Sequence, residues 1–111
     1  MADAALFRRL ALALPGATEA PHFDRTAFRA RTIFATLTPD GATANLNLGP
    51  DEQEFRCTLA PHGFAPVPNA WGRQGWTTAT LAALDEAELA AALQAAWRRA
   101  SAKPPPRRRK P

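Results

Sequence analysis

Few side chains in this 111-residue chain are suited to covalent or acid–base chemistry, and those few are scattered. The two histidines, His22 and His62, stand apart from one another and from any nucleophile. Nucleophilic catalysis needs a nucleophile, a base and a group that orients the base, all within reach of one another; no spacing here suggests that set. Asp51, Glu52 and Glu54 form an acidic patch, but a solvated helix start accounts for it. The single cysteine, Cys57, has no partner for an internal disulfide or a cysteine metal site. It falls on a predicted helix, where a small apolar residue suits a core-facing position. No phosphate-binding loop, dinucleotide-binding glycine pattern or metal-ligand cluster is present. The expectation is a non-enzymatic protein with no cofactor and no bound metal.

What remains is the chemistry of arginine at turns. In PNAWGRQGWTT, residues 68–78, Trp71 and Trp76 flank Gly72 and Gly75, and the glycines permit a sharp reversal. The expected tip is Arg73-Gln74, with Trp71, Gly72, Gly75 and Trp76 as its structural base. Such a tip suits a nucleic-acid groove, with arginine reaching phosphate or guanine and glutamine reaching adenine. It is equally readable as a rigid turn with packed tryptophans and a solvated tip. A second tip is Arg29-Ala30-Arg31-Thr32, whose Arg29 and Arg31 could touch phosphates or simply be solvated. Arg107, Arg108, Arg109 and Lys110 follow three prolines and offer nonspecific affinity for a polyanion. An acidic protein partner or a solubility role are the other readings of that tail.

The elements that would position these residues are readable. Asp3 caps a first helix in which Leu6, Phe7, Leu10, Ala11 and Leu14 recur at helical spacing, and Pro15-Gly16 stops it. Short strands follow at 18–23, 26–30, 33–38 and 43–48, with Pro39-Asp40-Gly41 as a strong turn. Ala44, Leu46 and Leu48 alternate with Asn45 and Asn47, as on a sheet with one buried face. Pro50 opens a short helix that ends before Pro61. Residues 64–67 read as an edge or irregular strand, and 76–81 as another strand. Asp85 and Glu88 form a capping box at the start of the last helix, with Leu89, Leu93, Ala96, Trp97 and Ala100 on one face. The fold class is α+β in two layers: one antiparallel sheet covered on one face by N- and C-terminal helices. Residues 1–102 form a single domain, and 103–111 read as a disordered Pro/Arg-rich basic tail.

Charge must be divided before it is interpreted. Of the 14 Lys and Arg residues, Lys103, Arg107, Arg108, Arg109 and Lys110 belong to the tail. Residues 1–102 then hold nine basic against ten acidic groups, a net of −1, so the body by itself is not a basic protein. There is no apolar run of about 18 residues, and Arg8 and Arg9 interrupt what would be a signal-peptide core. The expectation is a cytoplasmic protein with no membrane partner and an open oligomeric state, a monomer being favoured. Beside nucleic-acid binding, a protein-interaction or small-ligand-binding module with no nucleic-acid role is the other reading.

Three segments together resemble the MmcQ/YjbR family of small bacterial proteins. They are LALALPGATEAPHFDRTAFR at 10–29, IFATLTPDG at 33–41 with LNLGPDEQ at 46–53, and VPNAWGRQGWTTATL at 67–81. The likeness covers residues 3–100. It implies a CyaY-like two-layer α+β fold with a double-wing motif and DNA as the partner, and it implies no catalytic residues. The wings would carry Arg29 and Arg31 on one hairpin tip and Arg73 and Gln74 on the other. The chain departs from the family pattern at Arg31-Thr32, where glycines and a lysine are usual, and at Asn47, where a lysine is usual. The iron chemistry of frataxin-like proteins needs an acidic ridge on the first helix, and only Asp3 is present there.

Overall fold

The computed structural model describes residues 1–102; residues 103–111, with Arg107, Arg108, Arg109 and Lys110, lie outside the described residues. The elements are α1 (Ala4–Leu12), β1 (Thr18–His22), β2 (Arg25–Arg29), β3 (Ile33–Leu37), β4 (Thr43–Asn47), α2 (Pro50–Leu59), β5 (Phe64–Pro66), α3 (Ala70–Arg73), β6 (Trp76–Thr80) and α4 (Glu86–Ser101). Each strand lies within a residue of its expected limits.

The six strands form one antiparallel sheet in the order β1-β2-β3-β4-β6-β5. The chain runs as a meander through β4. It then crosses by α2 to the far edge, lays down β5, and returns to insert β6 between β5 and β4. Both edge strands carry a proline, Pro21 in β1 and Pro66 in β5.

Register decides which side chains meet the helices. Ala35 pairs with Leu46, Leu37 with Ala44, and Ala44 with Ala79, so these share the helix-covered face. Alternation sends Thr36, Asn45 and Thr78 to the opposite face. Phe7 of α1 meets Phe28 of β2 edge to face, with ring centroids 5.3 Å apart. Leu89, Ala92, Leu93, Ala96 and Ala100 line the buried face of α4, and its alanines let the helix sit close to the sheet.

The helix ends follow local chemistry. The Asp3 carboxylate accepts from Leu6 N at 2.9 Å. At α4 the capping box is complete: Asp85 accepts from Glu88 N at 2.7 Å, and Glu88 accepts from Asp85 N at 2.9 Å.

Two features differ from the sequence reading. The reversal expected at Arg73-Gln74 is not a tight hairpin tip. It is the one-turn helix α3 inside a longer connection from β5 to β6, because Asn69 caps Trp71 N at 2.8 Å and starts a helical turn. Residue 81 also leaves the sixth strand for a 3₁₀ turn, Leu81–Ala83. The face away from the helices is, moreover, not fully bare. Ala27 and Thr36 are buried on it, whereas Phe34, the extra residue where the β2–β3 register shifts beside Phe28 and Arg29, joins the hydrophobic core.

Candidate functional site

The β2–β3 turn and the β5–β6 connection lie at the same end of the sheet. Asn47 at the close of β4 pairs with Trp76 at the start of β6, and Ile33 opens β3 at that same end. Arg29 and Arg31 are exposed on the first loop, and Arg73 and Gln74 on the second. Intervening strands separate the loops by roughly 14 Å, at about 4.8 Å per strand. The structure thus gathers the four residues at one end without bringing them into contact.

The same end holds the C-terminus of α4. The Arg99 guanidinium lies against Gly49, where a Cβ would fall 2.8 Å from its Nη1. Trp97 Nε1 donates to Pro15 O at 2.8 Å, tying α4 to the segment before β1. The chain therefore leaves the described fold, at Ala102, from the arginine-bearing end. Asp51, Glu52 and Glu54 on α2 and Glu19 on β1 are the acids at this end; Glu52 is paired with Arg56 at 2.7 Å and Glu19 with Arg8 at 2.6 Å.

Most of the other acids gather at the opposite end. Ala2 N donates to Leu84 O at 2.8 Å and Leu81 N to Ala42 O at 3.1 Å. These bonds bring Asp3, Asp40, Asp85 and Glu86 together around the β3–β4 turn and the starts of α1 and α4. The near-neutral body is therefore charge-polarised along the strand direction. Among the described residues the two ion pairs are Arg8–Glu19 and Arg56–Glu52. Arg29, Arg31 and Arg73 have no carboxylate partner there.

Residues 67–76 are held rigidly. Gln53 Nε2, reaching from α2, donates to both Gly72 O and Trp76 O at 3.0 Å. Leu48 N donates to Gly75 O at 3.1 Å, and Val67 N to Trp76 O at 3.0 Å. A Cβ on Gly72 would fall 1.8 Å from Val67 O, so only glycine fits. Trp76 is half-buried, whereas Trp71 is 58% exposed and is not the packed anchor expected of it.

Trp71 instead borders a groove of about 380 Å³ over the sheet face away from the helices. Opposite it stands the β1–β2 turn, with His22, Phe23 and Arg25; Thr36 and Asn45 lie along the floor. Phe23 is 94% exposed and adopts φ +59°, the left-handed region that a bulky residue rarely enters. The sequence reading missed His22, Phe23, Arg25 and Asn45 as a set, because β1, β2 and β4 bring them together only through pairing. The signal available was phenylalanine in a two-residue turn, where glycine, asparagine or aspartate is usual.

Among the described residues, no group of three His, Cys, Asp or Glu side chains is placed to hold a metal ion. Burial pushes the half-buried Cys57 thiol above its ordinary pKa, which disfavours the thiolate. No helix among the described residues is long and apolar enough to cross a membrane.

Comparison with known proteins agrees with this architecture. No curated protein matches the chain. A Deinococcus radiodurans protein with a DUF419 domain, known from its crystal structure, shares the fold with a TM-score of 0.71 at 20% identity, over 86% of this chain and 76% of that one. The family model described as YjbR matches residues 12–99. With the helix-backed antiparallel sheet and the resemblance carried by residues 67–81, this match establishes that the chain belongs to the YjbR family.

Proposed function

We propose that this protein is a non-enzymatic nucleic-acid-binding protein that uses the arginine-bearing end of its sheet. One observation carries the reading. The topology sets Arg29, Arg31, Arg73, Arg98 and Arg99 at the end from which the basic C-terminal residues depart, with Asp3, Asp40, Asp85 and Glu86 at the other end. A polyanion approaching this molecule is steered by that polarity even though the body is close to neutral. The two loops act as contact points on phosphates, and the tail adds sequence-independent attraction.

The test separates body from tail in the full-length chain. Arg107, Arg108, Arg109 and Lys110 are replaced together by glutamine, and binding to a duplex oligonucleotide is followed across salt concentrations. The expected result is weaker but measurable binding at low salt. Arg31→Ala and Arg73→Ala each then reduce the salt slope by about 1. If the tail-neutral protein shows no binding at low salt, the end of the sheet is not a nucleic-acid surface.

A further inference from the structure

The groove over the exposed sheet face is a second site: it shares the β5–β6 connection with Arg73 through Asn69 and Trp71, but neither Arg31 nor Arg73 lines it, and its chemistry is specific. We infer that it binds a nucleotide, with the flat base held between Trp71 and Phe23 and the anionic group on Arg25.

Three observations converge on that ligand. First, Trp71 and Phe23 stand exposed on two rims of the groove. Exposed aromatic side chains facing one cleft form a stacking platform for a planar ring. Second, Phe23 is held in its place by a backbone conformation that disfavours it, φ +59°. A glycine there would satisfy the turn at less conformational cost, so the phenyl ring serves something other than the turn. Its ring also meets His22 edge to face, with centroids 4.9 Å apart.

Third, Arg25 is half-buried at the groove yet has no carboxylate partner among the described residues. Its one hydrogen bond is a long one, 3.4 Å, from Nη1 to Thr36 Oγ1. A partly desolvated guanidinium with spare donors is a seat for phosphate. Asp24 also borders the groove, but it is exposed and unpaired with Arg25, so it leaves those donors free. Asn45 and Asn69 offer their Nδ2 donors to the polar edge of a base, their oxygens being engaged by Thr78 Oγ1 at 2.9 Å and Trp71 N at 2.8 Å. The cavity of about 380 Å³ is at the scale of one small ligand rather than a strand or a duplex.

The same chemistry is offered by a free mononucleotide and by one residue of a single strand, and the experiment distinguishes them. Full-length protein is titrated with adenosine 5′-monophosphate, with adenosine, and with a short single-stranded oligonucleotide, reading tryptophan fluorescence and calorimetry. Binding of the monophosphate is expected to fall about tenfold or more in Trp71→Ala, as loss of one stacked base implies. Phe23→Gly should weaken binding while leaving the melting temperature unchanged or higher, a combination that a merely structural residue cannot give. Arg25→Gln should abolish the preference for the monophosphate over adenosine. Equal sensitivity of the oligonucleotide to these changes, with tighter binding, assigns the site to single strands; a monophosphate bound at least as tightly assigns it to free nucleotide.

Arg31→Ala and Arg73→Ala should leave monophosphate binding unchanged, so this site and the end-of-sheet surface fail or stand separately. No heat or fluorescence change with any of the three ligands at millimolar concentration overturns the inference. So does binding that the Trp71, Phe23 and Arg25 variants retain.

Discussion

Gly75 and Gly49 touch backbone to backbone: a Cβ on Gly75 would lie 2.2 Å from the Cα of Gly49. Both glycines have positive φ, +106° and +83°. This contact joins the start of α2 to the connection before β6, and so sets how the loop bearing Arg73 meets the sheet. Gly75→Ala is therefore both strained and overpacked, and should cost about 3 kcal/mol or more in urea unfolding. Gly16 also has positive φ, +75°, but no atom lies within 4 Å of its Cβ position. Gly16→Ala should cost only about 1–2 kcal/mol, so the larger loss at Gly75 reports the close approach to Gly49 together with its more extreme φ.

Asp85 and Glu88 cap each other reciprocally at the start of α4. Asp85→Ala removes one half of that arrangement and should destabilise the protein by about 1 kcal/mol. In a domain of this size, that corresponds to a melting temperature lower by roughly 4–8 °C. Glu88→Ala in the same assay tests whether the second half contributes.

The motifs behind these predictions were legible in the sequence. Asp85 with Glu88, Pro50 after Gly49, and Pro39-Asp40-Gly41 act over a few residues, and local chemistry places their boundaries. The face shared by Ala44 and Leu46 was equally legible, since strand alternation is a local property. The turn around Trp71 was not. Asn69 and the Gln53 side chain decide its helical form, and Gln53 arrives from α2 only after β6 inserts beside β4. The groove was illegible for the same reason. Its rims come from β1–β2 and from the segment before β6, which the strand order alone sets opposite each other.

Asp40 gives a pH dependence whose sign is fixed. The Ala42 backbone N–H donates to its carboxylate at 2.9 Å, and the Thr38 hydroxyl donates at 2.8 Å. The backbone bond first, then the hydroxyl, hold the carboxyl below its ordinary pKa. A carboxyl lowered in the folded state adds stability above its unfolded pKa and loses it as pH falls through the folded value. Wild type should exceed Asp40→Asn in stability at neutral pH, and the gap should close below about pH 4. Parallel denaturation curves across that range provide the check.

Trp97 tests the tie between the last helix and the segment before β1. Trp97→Phe removes the Nε1 donor to Pro15 O while keeping most of the ring. A loss of about 1 kcal/mol is expected. Amide exchange should quicken near Ala17, whose N–H bonds Leu14 O at 3.1 Å in the same segment.

The prolines in β1 and β5 bear on how this protein meets others. An open sheet ends in rows of unpaired backbone groups that invite further strands, and in crowded conditions such edges seed aggregates. Pro21 and Pro66 each withhold a donor from those rows, and both edge strands are short. Lateral growth of the sheet is blunted on both sides, so strand addition is a poor route to association for this molecule. Recognition is left to side chains at the ends and on the open face of the sheet.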